Sequence, residues 1–167
     1  MTALQRSGAA SLFGLIGWLF VTVVAGGVGA VASINAVDFY GSLTQPPWAP
    51  PAWLFGPVWT LLYLIMAVAA WLVWRRHGLR GARTALVLYG LQLVANALWT
   101  WLFFAWHRGA WSMIEVAVLW ILIVATIAAF WRLQRVAAVL LLPYLAWVSF
   151  ASALTWAMWR LNPAVLG

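Results

Sequence analysis

Between Asp38 and Arg75 the chain runs without a single charged side chain, and the stretches from Arg6 to Asp38 and from Glu115 to Arg132 are as bare. A spanning helix needs about 20 consecutive apolar residues, so runs of this length decide the solvent before they decide the fold. Of the 167 residues 67% are hydrophobic and 7% are charged. A water-soluble domain of this size cannot hide so much apolar surface. The pattern predicts an all-α integral membrane bundle of five transmembrane helices, as one domain over 1–167. The helices are expected at about 11–35, 51–74, 84–106, 111–131 and 136–160.

The charges mark the turns. All nine basic residues are arginines, against Asp38 and Glu115 alone. With five spans, Arg6, Arg75, Arg76, Arg80, Arg83, Arg132 and Arg135 share one side, and Arg108 and Arg160 share the other. Positive residues stay on the cytoplasmic side. This asymmetry predicts a multi-pass protein of a bacterial envelope, in the inner membrane, with its N-terminus cytoplasmic and its C-terminus external. Arginines confined to interhelical turns are orientation signals rather than a nucleic-acid surface, so no nucleic-acid partner is expected. The N-terminal apolar run is read as a helix rather than a cleaved leader, because no clean A-x-A-like site follows it.

The most unusual segment is Gln45–Tyr63, which holds five prolines and three tryptophans. A membrane anchor needs nothing of this kind. Rigid turns and flat rings at a membrane boundary suggest a shaped cavity for a flat apolar ligand. The loop before it, 36–50, is long for a helical bundle, and long ordered loops are often lids or binding elements. Pro51 suits the first turn of a helix, whereas Pro57 is expected to kink that helix or open its first turns. Pro143 falls one or two turns inside the fifth helix. In the first helix, Ala25 with Gly29 and Gly26 with Ala30 form small-xxx-small pairs, which suit close internal packing or dimerisation.

Candidate site residues follow from helical spacing. Gln92, Asn96, Trp99 and Phe103 make one stripe of two amides and two aromatics. Amides in the hydrocarbon region must be paired, so the stripe serves either interhelical bonding or a ligand. Glu115 is the one carboxylate in a span; such an acid faces the interior and marks either a site or a structural partner. Trp59, Tyr63 and Met66 form a stripe on the second helix, and Trp147, Ala151 and Leu154 form one on the fifth. Other tryptophans, Trp18, Trp74, Trp106 and Trp131 among them, are expected as interface anchors.

Several chemistries lack their residues. There is no cysteine, no P-loop and no dinucleotide fingerprint. His77 and His107 fall in turns on opposite sides, so no paired-histidine haem and no metal site is expected. A metal-free tetrapyrrole fits the inventory better, with Arg108 and Arg160 as candidate partners for its carboxylates.

The run Pro46–Trp53 followed by Pro57–Met66 resembles the second-helix signature of the TspO/translocator protein family, the tryptophan-rich sensory proteins or peripheral benzodiazepine receptors. Gln92–Trp99 with Phe103-Phe104, Pro143–Trp147 and Trp159–Asn162 match in order and spacing. The resemblance covers nearly the whole chain, from about Gly26 to Asn162. It implies five transmembrane helices in a homodimer. It also implies a pocket near the first loop for porphyrins such as protoporphyrin IX, for sterols and for benzodiazepine-type ligands, with no resident cofactor.

The family's lining positions correspond to Ala30, Trp59, Asn96, Trp111, Glu115, Trp147, Ala151 and Leu154. Its two tryptophans tied to light-dependent porphyrin breakdown correspond to Trp59 and Trp147. The implied function is a receptor or sensor in tetrapyrrole handling; a porphyrin-degrading enzyme and a transporter are the alternatives. Two positions depart from the family pattern. Trp156 stands where the sterol motif has tyrosine, and Glu115 stands where many members have aspartate.

Overall fold

The computed structural model describes residues 8–167, and Arg6 lies outside them. The chain forms α1 (Gly8–Ala32), α2 (Ala36–Ser42), a 3-10 turn (Ala52–Leu54), α3 (Phe55–Gly81) and α4 (Arg83–Thr100). A π-helical turn (Trp101–Ala105) follows, then α5 (Gly109–Leu133), α6 (Arg135–Leu140), α7 (Leu142–Leu161) and α8 (Pro163–Leu166). No strand forms among the described residues. Five helical segments are long and apolar enough to cross a membrane: Gly8–Ala32, Ala52–Gly81, Arg83–Ala105, Gly109–Leu133 and Arg135–Leu161.

In lipid every backbone polar group must be satisfied inside the protein, and a helix does so within its own segment, which suits apolar runs of this length. Their packing follows the small residues. α1 lies against α3 and α4, α4 against α5, α5 against α7, and α3 against α6. A Cβ on Gly26 would sit 2.9 Å from the Tyr63 ring, and one on Gly29 would sit 3.3 Å from Thr100 Oγ1. Gly26 and Gly29 of α1 therefore serve internal packing. Met66, Val73, Tyr89, Leu119, Ile123, Phe130, Tyr144 and Met158 fill the centre. Thr22 and Tyr89, both fully buried, pair their hydroxyls at 2.7 Å.

The prolines behave differently from the sequence expectation. Pro57 lies in the first turn of α3, where a missing N–H costs no intrahelical bond, and it does not kink the helix. The break in α3 is at Gly78 (φ 67°, ψ 179°), a backbone region that glycine enters without a Cβ clash. Near Pro143 the last span divides at Leu141, so α6 ends and α7 begins with proline in its first turn. The expected loop 36–50 contains the two-turn helix α2. Trp18 turns inward rather than anchoring the surface, with its ring edge-on to Tyr89 at 5.8 Å. Trp106 and Trp131 are exposed at 53% and 49%, as interface anchors are. His77 and His107 sit at opposite ends of the bundle: His77 contacts the Leu133 carbonyl at 3.1 Å, whereas His107 stacks on Phe39 of α2 at 4.1 Å.

Candidate functional site

α3 places Trp59 and Tyr63 one turn apart, so their rings lie side by side, 5.6 Å between centroids and 31° between planes. The Tyr63 hydroxyl donates to Asn96 Oδ1 at 2.6 Å. Asn96 Nδ2 donates to the Tyr144 hydroxyl at 3.3 Å, and that hydroxyl donates to Gln92 Oε1 at 2.8 Å. Helical spacing stacks Gln92 over Asn96, and three helices are thereby joined through two amides. Trp59 also meets the Tyr144 ring edge-on at 6.2 Å. The network orders the polar side of an aromatic wall, because each amide in hydrocarbon needs its partner.

In front of this wall lies a cavity of about 550 Å³. α1 supplies Gly26, Gly27, Gly29 and Ala30; α2 supplies Val37 and Tyr40; α3 supplies Phe55, Trp59, Thr60 and Tyr63. Trp99, Thr100 and Phe104 close it from α4 and the π-helical turn. Aromatic rings and small residues dominate, and hydroxyls are the main polar groups. Small-molecule sites have this constitution, at roughly 300–1,000 Å³.

α2 lines one side of the cavity through Val37 and Tyr40, and the proline segment that follows it is tied down by side chains. Tyr40 donates its hydroxyl to the Pro50 carbonyl at 2.9 Å, and Gln45 Nε2 donates to the Tyr40 carbonyl at 2.8 Å. Asn162 grips Thr44 in both directions: the Thr44 N–H donates to Oδ1 at 2.8 Å, and Nδ2 donates to the Thr44 carbonyl at 2.9 Å. Burial pushes the Tyr40 hydroxyl above its ordinary pKa, because its charged form would lose water.

Four of the residues singled out from the sequence line this cavity: Ala30, Trp59, Tyr63 and Trp99. Asn96, 1% exposed, stands behind Tyr63. Phe103 stacks on Trp99 at 5.9 Å and 12° without reaching the cavity wall. Trp147 is one ring further back, edge-on to Phe55 at 5.9 Å. Glu115, Ala151 and Leu154 are buried in the bundle outside the cavity lining. Both Glu115 carboxylate oxygens, Gln92 Nε2 and the indole N–H groups of Trp99 and Trp147 are buried without a hydrogen-bond partner. Trp111 is 62% exposed and lies away from the cavity. Arg108 and Arg160 are both exposed.

Val37 and Tyr40 of α2, Thr60 and Phe104 also line the cavity, without a helical stripe to mark them. Gly26 and Gly29, whose spacing suits close packing or dimerisation, floor it as well. Among the described residues no three histidines or acids stand together as a metal site.

The TspO/MBR family model matches residues 15–160. Among curated relatives, Protein CrtK of Rhodobacter capsulatus is 38% identical over 143 residues, 83% of this chain and 86% of that one. The tryptophan-rich sensory protein of Cereibacter sphaeroides is 40% identical over 148 residues, 86% of this chain and 91% of that one. The human translocator protein is 36% identical over 130 residues, 77% of each chain.

Proposed function

The chain belongs to the TspO/MBR family, and from that premise we propose that it is a membrane receptor for porphyrins and related flat hydrophobic ligands. The observation that carries this reading is the cavity of about 550 Å³ walled by Trp59, Tyr63 and Trp99. Flat rings offer a planar ligand stacking area without polar desolvation cost. The Asn96–Tyr144–Gln92 network holds the wall in one geometry before any ligand arrives. The reading takes Arg108 and Arg160, exposed outside the cavity lining, as the cationic partners for propionate-type carboxylates.

The reading takes ligand binding as the event sensed, with α2 and the 43–51 segment as the part that responds. It places the arginine-rich end of the bundle, Arg75 to Arg83 with Arg132 and Arg135, on the cytoplasmic side of a bacterial inner membrane. It retains the homodimer that the family resemblance implies. Saturable quenching of tryptophan fluorescence by protoporphyrin IX, lost when the cavity is filled by mutation, is the test. Binding that ignores such a mutation removes the cavity from the account.

Trp59 lines the cavity, so an indole there is placed for contact with a photoexcited ligand, which favours light-dependent porphyrin degradation as the second reading. Product spectra of Trp59→Phe under illumination separate it from binding alone. Breakdown unchanged in that variant rejects it.

A further inference from the structure

At the end of the bundle away from α2, two arginine runs are stitched into one surface. Arg76 Nη1 donates to Gln134 Oε1 at 2.9 Å, and His77 Nε2 lies 3.1 Å from the Leu133 carbonyl oxygen. These contacts join the end of α3 to the turn between α5 and α6. Arg132 and Arg135 flank Gln134 in that turn, and Arg80 and Arg83 follow the break at Gly78. All six side chains, Arg75, Arg76, Arg80, Arg83, Arg132 and Arg135, are exposed. The chain has only two acids, and both lie toward the opposite end. Asp38 is on α2, and Glu115 is near the start of α5 whereas Arg132 is at its finish. No carboxylate of this chain therefore neutralises the cluster.

We propose that this arginine crown binds the phosphate headgroups of anionic lipids in the leaflet it faces. Three observations select lipid over a nucleic acid or another phosphate carrier. The turns are tight: Ala82 alone separates α3 from α4, and Gln134 alone separates α5 from α6. The guanidiniums consequently stay close to the ends of the spans instead of projecting on a soluble loop. Their depth is marked by rings: the Arg75 guanidinium carbon lies 4.4 Å over Trp71, and the exposed Trp131 precedes Arg132. Tryptophan and arginine at this level belong to the headgroup region. The two runs also come from different helices joined by the Arg76–Gln134 bond, so basic residues of two spans share one surface, as in sites that hold lipid headgroups. Arginine suits it because its planar fork meets two phosphate oxygens at once.

The test uses the full chain in nanodiscs or mixed micelles holding equal amounts of phosphatidylglycerol and phosphatidylcholine, with retained lipid counted after purification. Enrichment of phosphatidylglycerol that weakens as salt rises is expected. R132Q/R135Q should lower it by roughly fivefold for each arginine removed. R80Q/R83Q provides the same reading should the first variant fail to fold. R108Q/R160Q takes the same charge from the other end and should leave the enrichment unchanged. Equal retention of the two lipids overturns the proposal. So does an equal loss in R108Q/R160Q, or binding of an oligonucleotide or polyphosphate by wild-type protein that shows no lipid enrichment.

Discussion

The Tyr63 hydroxyl donates to Asn96 Oδ1 at 2.6 Å, across the gap between α3 and α4. Tyr63 faces the cavity on its ring side and the amide network on its hydroxyl side. The bond thus couples the shape of the cavity wall to the packing of three helices. Asn96→Leu removes an acceptor and a donor together and leaves the hydroxyls of Tyr63 and Tyr144 to find other partners. Interhelical hydrogen bonds in membranes average about 0.6 kcal/mol and reach about 1.7, so a loss of about 1–3 kcal/mol is expected. Thermal unfolding in detergent reads it. Tyr63→Phe, which removes a single bond, should fall at the low end of that range.

Gly26 and Gly27 are neighbours with opposite expected responses. A Cβ at Gly26 meets the Tyr63 ring at 2.9 Å, whereas one at Gly27 meets nothing within 4 Å. Gly26→Val should destabilise by about 1–3 kcal/mol, because an aromatic ring fixed by its own hydrogen bond cannot yield cheaply. Gly27→Ala should be neutral or stabilising by up to about 1 kcal/mol through helix propensity. Unfolding midpoints of the two variants in one detergent check the pair, and equal destabilisation would remove the packing argument.

Asn162 fastens the segment that follows α2 to the end of α7. Its side chain bonds Thr44 twice and the Met158 carbonyl once, at 2.8 Å. Asn162→Ala should loosen the 43–51 segment without unfolding the spans. At about 1 kcal/mol net for each bond, amide exchange at Thr44 should accelerate roughly tenfold or more, while Tyr89 and Phe130 in the core keep their protection. Bound ligand should also leave faster. Unchanged exchange at Thr44 would contradict the fastening role.

Gly109 opens α5 in a crowded place. A Cβ there would overlap the Trp159 ring and lie 2.6 Å from the Leu166 carbonyl oxygen. Gly109→Ala should therefore displace α8 and the end of α7 at a cost of about 1–3 kcal/mol, read as greater protease sensitivity of the 160–167 segment.

What the sequence disclosed follows from the solvent. Lipid demands about 20 apolar residues for each crossing, so the spans and the arginine turns stood out. The features it hid are of another kind. The seven residues of α2, Ala36–Ser42, are too short and too mixed to carry a helical period. The π-helical turn at Trp101–Ala105 has no compositional mark, since Leu and Phe suit any helix.

Trp111, a lining position in the family resemblance, is 62% exposed, and in a chain apolar on every face spacing alone does not separate a surface ring from a cavity-facing one. Asn96 and Gln92 were legible because an amide in hydrocarbon has to turn inward. The glycines that floor the cavity were legible only as packing, because an absent side chain signals closeness and space alike.

Titration of protoporphyrin IX into the purified protein, followed by tryptophan quenching in wild type and in Ala30→Phe, tests the central claim most directly. Ala30 lines the cavity and is exposed, so the added ring fills the ligand space without entering the core. Wild type should show saturable quenching, and Ala30→Phe should bind at least about tenfold more weakly, equivalent to about 1.4 kcal/mol, with its unfolding midpoint unchanged. Equal affinity in the two proteins, or quenching that never saturates in wild type, would contradict the account.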